Sequence, residues 1–438
     1  MKSFKKYFST FVHTGMAVLA VLSFSSCNED DDESPPRITI DSPFENQTFL
    51  STDTIEAVAT IMDNEQVIGV DLELLDLEFN QVATKQSYPA SGSNFYFGQL
   101  FPINNSLLPT GDYYLAFRAT DGPNVGSAFV KIRINAIPRL FEGVTVLTSQ
   151  NNQSYVYYRE ADESEFELQY DFFSDAVGAG LNYRQNILGV AGGVAGNTDF
   201  FETEEFSIVN SLPGFGTIGE PYFLSMKFDE DLEQYFVTQR DGRIRVFDKA
   251  SFAINGFDAL PNHFPLEVFA SEDGYFLCEK EIDGPIYSLT FYSFQGLLFN
   301  NYPVSGSVKG VFDRNLNEKY VWVDDPEGLE LRILNITNEL LSLPYERPGA
   351  RLFDVAQAGD NSFILSTSEG LLRYNYSNGG TVILNSSTTE GELFFDEYNQ
   401  LIYLISGQDA FIYGINGAQA GGFSFPRDIV YVGFDYNR

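Results

Sequence analysis

Four passages of the chain have the same internal order. Val311-Phe312-Asp313 leads through a short polar gap to Tyr320-Val321-Trp322-Val323, turns over residues 324–328 and resumes as Leu329-Glu330-Leu331-Arg332-Ile333-Leu334. The order returns as Lys227-Phe228-Asp229, Tyr235-Phe236-Val237, Asp241-Gly242 and Ile244-Arg245-Val246-Phe247. It returns as Leu352-Phe353-Asp354 with Phe363-Ile364-Leu365 and Glu369-Gly370-Leu371, and as Phe394-Phe395-Asp396 with Leu401-Ile402-Tyr403-Leu404 and Phe411-Ile412-Tyr413. Short apolar runs joined by Asp/Pro/Gly turns are strands. The aspartates at 229, 313, 354 and 396 fit a unit of about 42 residues, with a further unit around Phe269 filling the double gap. A unit of that length built from four short strands has the period of a propeller blade.

The remaining chain extends the pattern. Val146-Leu147-Thr148 and Tyr155-Val156-Tyr157-Tyr158 align without gaps on residues 311–323, which gives a first blade, and residues 186–193 start a degenerate second one. The chain ends Ile429-Val430-Tyr431-Val432-Gly433-Phe434-Asp435-Tyr436, a strand of the first-strand type out of phase with complete units. Such a strand closes a ring by pairing with the first blade and removing an open edge. Seven blades over residues 138–438 fit, with eight as the alternative if the last strand counts separately. The 41 Phe and 25 Tyr favour strands, and no long amphipathic helical stretch follows the first two dozen residues, so the class is all-β.

At 438 residues the chain exceeds one core, and the segment before the repeat is a second domain. Strand patterns at 38–40, 54–61, 67–75, 95–99, 113–120 and 128–134 alternate with turns such as Asp63-Asn64 and Asp121-Gly122-Pro123-Asn124. That spacing is a β-sandwich over 37–137, with Ile137-Pro138 as the hinge. Ile40-Asp41-Ser42-Pro43 and Gly111-Asp112-Tyr113-Tyr114-Leu115-Ala116-Phe117-Arg118 resemble bacterial immunoglobulin-like modules, which implies a spacer or docking piece. Asp53-Thr54-Ile55 resembles a Bacteroidota O-glycosylation triplet, too short to carry weight.

Residues 1–26 resemble a lipoprotein signal peptide: Lys2, Lys5 and Lys6, an apolar stretch through Phe24, then Ser25-Ser26 before Cys27. The apolar run is shorter than the ~20 residues needed to span a bilayer. The resemblance implies acylation of Cys27, whose chains would anchor the protein durably. Asn28 is followed by Glu29, Asp30, Asp31, Asp32 and Glu33 in an acidic tether over 27–36. Five successive carboxylates stay solvated. The run resembles the export signal of Bacteroidota lipoproteins, which implies display on the outer face of the outer membrane; a plain hydrophilic spacer is the alternative.

The net charge is −35, and loss of the three signal lysines takes it to −38. Such a chain repels phosphate backbones, and no basic patch with interleaved aromatics appears, so nucleic acid is not a partner. With His263 and Cys278 the only such residues beyond the signal and Cys27, zinc- or iron-type sites cannot be built. Calcium is the one cation the acids allow, at Asp324-Asp325 or Asp229-Glu230-Asp231, although adjacent acids on a turn are ordinarily just solvated. The recurrent Asp229, Asp313, Asp354, Asp396 and Asp435 call for a structural role, accepting backbone N–H groups at the end of an inner strand. Cys278, in a strand pattern, reads as an inert buried thiol. The glycine-rich run over residues 189–196 lacks the Lys-Ser/Thr of a phosphate loop, and no Gly-x-Ser-x-Gly turn exists. Ser271-Glu272-Asp273-Gly274 falls one residue short of a sialidase-type Asp box. Trp322 shares a strand face with Tyr320 and reads as core.

The repeat region resembles the WD40/YVTN-like propellers, without the Trp-Asp dipeptide or the Gly-His pair of true WD40 repeats. The whole resembles a lipid-anchored, surface-exposed Bacteroidota lipoprotein. That implies a non-enzymatic accessory subunit of an outer-membrane β-barrel complex: a TonB-dependent importer, type 9 secretion or barrel assembly. No catalytic residue is assigned and no cofactor is expected. The competing expectation is a propeller that binds or cleaves glycan, which would bring Asp, Glu, Tyr and Arg together at one propeller mouth instead of placing them singly on every blade.

Overall fold

The computed structural model describes residues 34–437 except 106–107, 195, 216–218, 316, 339 and 387–389. Cys27 and the acidic run Glu29, Asp30, Asp31, Asp32 and Glu33 therefore lie outside the described residues. The chain divides into two compact units, one ending at Pro138 and one beginning at Arg139.

In the first unit, six strands share one sheet: β1 (Arg37–Ser42), β2 (Thr48–Leu50), β3 (Thr54–Leu75), β4 (Gln86–Pro102), β5 (Gly111–Thr120) and β6 (Val125–Asn135). The order is β1-β3-β5-β6-β2, β4 also pairs with β3, and only the β2–β6 pairing is parallel. Asp63-Asn64 is not the turn its composition suggests. The chain continues through it, and β3 runs as one strand whose register shifts between Met62 and Val67 and again before Gly69. An extra residue in one strand moves every later side chain to the other face. The buried positions accordingly change from Ile55, Ala57, Ala59 and Ile61 to Val70, Leu72 and Leu74, all at or below 1% exposure. Both sets meet Phe101 and Phe117 in one core. The three-residue β2 carries no periodic signal, and the sequence pattern misses it.

In the second unit, the described residues form seven four-stranded sheets. Blade 1 joins the last strand, Asp428–Tyr436, to Phe141–Gln150, Gln153–Glu160 and Glu167–Phe172. The first strands of blades 2 to 7 are Ala176–Asn182, Phe223–Asp229, His263–Ser271, Ser307–Asn315, Leu352–Gln357 and Glu392–Asp396. Each touches the first strand of the next blade, and Asp428–Tyr436 completes the circuit between blades 7 and 2. The ring thus closes on pairs such as Val432–Val146 and Phe434–Val144.

Two alignments need correction. Phe141–Gln150 is the second strand of blade 1, not the first, because Asp428–Tyr436 holds the inner place. Residues 186–193 likewise cover the second strand of blade 2, Ile187–Gly192, behind Ala176–Asn182. First and second strands are both apolar with the same period of two, so the pattern alone cannot tell which lies innermost. The closing strand belongs to blade 1, which makes the number seven.

The core is distributed, with one buried apolar cluster between each pair of neighbouring blades. Trp322 lies fully buried between blades 5 and 6, edge-on to Phe363 and Tyr374. Near the axis the strands approach so closely that side chains must vanish. A Cβ on Gly180 would lie 2.6 Å from the Phe228 backbone nitrogen, and one on Gly433 would lie 2.8 Å from Leu181.

Candidate functional site: the axial channel and two end clefts

On the first strands of blades 3 to 7, one charged residue apiece stands beside an apolar one: Lys227, Glu267, Lys309, Asp354 and Glu392. Successive side chains on a strand point to opposite sides. The neighbours Met226, Val268, Val308, Val355 and Leu393 are buried between blades, which leaves the charged groups toward the axis. Charge coupling agrees with a common space. Lys227 feels Asp354 three blades on, and Glu392 feels Glu267 at the same interval, influences that run across the axis.

Within this ring the Lys227 Nζ stands 3.4 Å from Glu267 Oε1 and 5.3 Å from the Phe269 ring centre. Half of the Lys227 side chain can meet water although it lies deep in the protein, as expected of a wet channel lining. Burial opposes its charge, but Glu267, Asp229 and Asp354 outweigh that and raise its pKa. Burial, then Glu267 and Glu392, lifts the Asp354 carboxyl to about 7 against hydrogen bonds from the Leu393 and Val355 N–H groups at 2.7 and 2.8 Å. Glu392 is raised too, by burial and Glu267, with Lys309 opposing. The channel thus holds three carboxylates against two ammonium groups, one carboxyl changing charge near neutrality. Among the described residues no three His, Cys, Asp or Glu side chains are grouped to hold a metal ion.

The recurrent aspartates do not occupy one equivalent position. Asp229 accepts the Leu232 N–H at 2.9 Å, and Asp396 accepts the Asn399 N–H at 3.0 Å and the Tyr436 hydroxyl. Asp313 accepts the Glu272 N–H, the Ser271 hydroxyl and the Lys319 ammonium. Asp435 accepts the Thr145 hydroxyl, at 3.2 Å, and burial lifts its carboxyl to about 6. Asp354 departs most. It pairs with Ser366 near the start of its strand, past a register shift after Leu352, and so belongs to the channel ring instead of the strand end. The Phe-Asp match that aligned it ignored the bulge. The sequence reading passes over Lys227, Glu267, Lys309 and Glu392, whose signal is a charge directly beside a buried apolar residue in an inner strand.

The remaining candidates are accounted for. Burial pushes the Cys278 thiol up to about 12. His263 sits 3.0 Å from the Pro261 carbonyl oxygen through Nδ1. Asp324, although buried, is held below the ordinary carboxylate range by Arg351 and the Leu352 N–H. Asp325 accepts the Ser305 hydroxyl and the Glu327 N–H. In the second acidic trio, Glu230 pairs with Arg139 at 3.3 Å. These oxygens serve the fold's own donors.

A cleft opens at each end of the first strands. Where they begin, a cleft of about 330 Å³ lies between blades 1 and 2, lined by Ser149, Asp175, Gly193, Pro221 and Asp428. Where they end, a cleft of about 340 Å³ lies among blades 4, 5 and 6, lined by Glu272, Asp313, Arg314, Gln357, Asp360 and Asn361.

With a closed circuit of sheets and an axial channel established, one solved structure is informative. A protein from Lactobacillus plantarum superposes with a TM-score of 0.51 at 11% identity, over 67% of this chain and 99% of its own. The fold is propeller-like. Chains from a mitotic checkpoint complex (11% identity, TM-score 0.46, 59% of this chain and 81% of that one) and from the computationally designed Ika8 protein (12%, 0.45, 67% and 90%) also align. No protein-family model matches the chain, and no curated protein matches it.

Proposed function

We propose that this protein is a non-enzymatic surface lipoprotein of the Bacteroidota type, anchored through Cys27 in the outer membrane and facing outward. In this reading residues 37–137 form an immunoglobulin-like spacer, and the propeller is the accessory or scaffold subunit of an outer-membrane β-barrel complex. The observation that carries it is the commitment of the recurrent acids to the frame: Asp229, Asp313 and Asp396 accept backbone N–H groups, and Asp324 is gripped by Arg351. What remains is a rigid disc with two open faces, suited to partner binding. Extraction of the tagged full-length protein from native membranes in mild detergent tests the reading. A β-barrel protein recovered with it in fixed ratio is expected; recovery of the protein alone counts against it.

A second reading, a glycan-binding or glycan-cleaving propeller, is favoured by the channel. Asp354, Glu267 and Glu392 converge there, and a carboxyl that keeps its proton near neutrality is what a general acid needs. Release of reducing ends from a glycan panel, abolished in Asp354→Asn, would establish it; a flat panel removes the cleaving form.

A further inference from the structure

We infer that the cleft among Glu272, Asp313, Arg314, Gln357, Asp360 and Asn361 is a recognition subsite for a neutral, hydroxyl-bearing sugar unit. It rests on the second reading and gives the glycan a place on the disc away from the channel acids. The cleft, about 340 Å³, falls within the ~300–1,000 Å³ usual for small-ligand sites. Its lining differs from most such sites in being polar throughout, which argues against an apolar ligand.

The lining groups are held in place from behind. Asp313 is fixed by the Ser271 hydroxyl at 3.0 Å, by the Glu272 N–H at 3.1 Å and by buried Lys319. The Arg314 guanidinium donates to Glu318 at 2.6 Å and stacks over the Tyr376 ring at 4.9 Å. The Tyr320 hydroxyl donates to the Asn361 side-chain oxygen, which leaves the amide nitrogen of Asn361 to donate into the cleft. Groups oriented by second partners bind without the entropy of ordering themselves.

Charge selects the ligand class. With Asp313 offset by Lys319, Glu272 and Asp360 still face one guanidinium that Glu318 already neutralises, so an anion is repelled. Among the described residues the acids are not grouped to hold a metal ion. Hydroxyl groups fit both halves of the lining, donating to carboxylates and accepting from Arg314 and Asn361.

The test uses the full chain on an array of neutral oligosaccharides (glucans, mannans and xylans) with sialylated glycans as the anionic arm, followed by calorimetric titration of the best neutral oligosaccharide. Asp360→Asn and Gln357→Ala remove cleft groups without touching the frame, since Asp360 is exposed and the Gln357 side chain donates to the nearby Gly359 carbonyl, at 3.4 Å. Asp428→Asn, in the opposite cleft, is the control. Binding of neutral glycans that weakens at least tenfold in both cleft variants and not in the control is expected. Neutral-glycan binding unchanged by both variants overturns the subsite and leaves the carbohydrate reading intact. A flat array overturns both, and binding confined to sialylated glycans overturns the charge argument.

Discussion

Lys319 exposes none of its side chain, yet its ammonium reaches Asp273 at 2.6 Å and also Asp313, tying the Glu272-Asp273 hairpin of blade 4 to the first strand of blade 5. Removing one member of a buried pair strands the other's charge, at a cost of roughly 3–5 kcal/mol. Both carboxylates keep contact with water, 27% and 33% exposed, which softens the loss. Lys319→Met is therefore expected to destabilise the protein by about 3 kcal/mol, read from the urea midpoint; an unchanged midpoint would contradict the staple. Asp354 acts in the opposite sense. Its carboxyl titrates at about 7 when folded and near 4 when unfolded. Over that window the folded state binds the extra proton, so stability falls as pH rises. Asp435, lifted to about 6, adds to the lower part of the same slope. Asp354→Asn should flatten the fall between about pH 5 and 7.5, a relative gain of about 1–3 kcal/mol at the alkaline end after screening by channel water. Because the amide loses one N–H acceptor at every pH, the slope of urea midpoints against pH is the measurement, not their level.

At the scale of the element, the inner strands carry the strictest demands. Gly180 faces the backbone of Phe228, which cannot rotate away. Gly180→Val should cost about 1–3 kcal/mol or more, seen as a lower melting temperature, whereas Gly242→Val, where a Cβ meets nothing but φ is +91°, isolates the backbone contribution. Deleting residues 428–437 takes the inner strand from blade 1 and opens the cores it shares with blades 7 and 2. The expected result is loss of a single cooperative melt; an intact transition would contradict ring closure. Strand positions and the blade period were legible because apolar alternation and Asp/Gly turns report local geometry. The closing strand was legible too, since Gly433-Phe434-Asp435 repeats the first-strand pattern with no unit left to fill. The inner or outer place of residues 141–150 was not, because both kinds of strand are short apolar runs of similar length, and which one faces the axis is decided only when the ring closes. Nor was the continuity of β3 through Asp63-Asn64, where a register shift bends the strand without reversing it.

At the scale of the whole molecule, the candidate site was the less legible part. The Phe-Asp motif pointed to positions that mostly brace loops, while the channel charges come from five blades and share no local motif. Only closure of the ring makes Lys227 and Asp354 neighbours. The disc that results has a charged axis and a cleft at each end of the first strands. Its proposed role as a lipid-anchored subunit is tested most directly by capture of the full-length protein from native membranes after mild crosslinking, with mass spectrometry of what accompanies it. A β-barrel outer-membrane protein in fixed ratio, crosslinked to propeller loops, is the result expected. Recovery of the protein alone, together with glycan cleavage that disappears in Asp354→Asn, would contradict it.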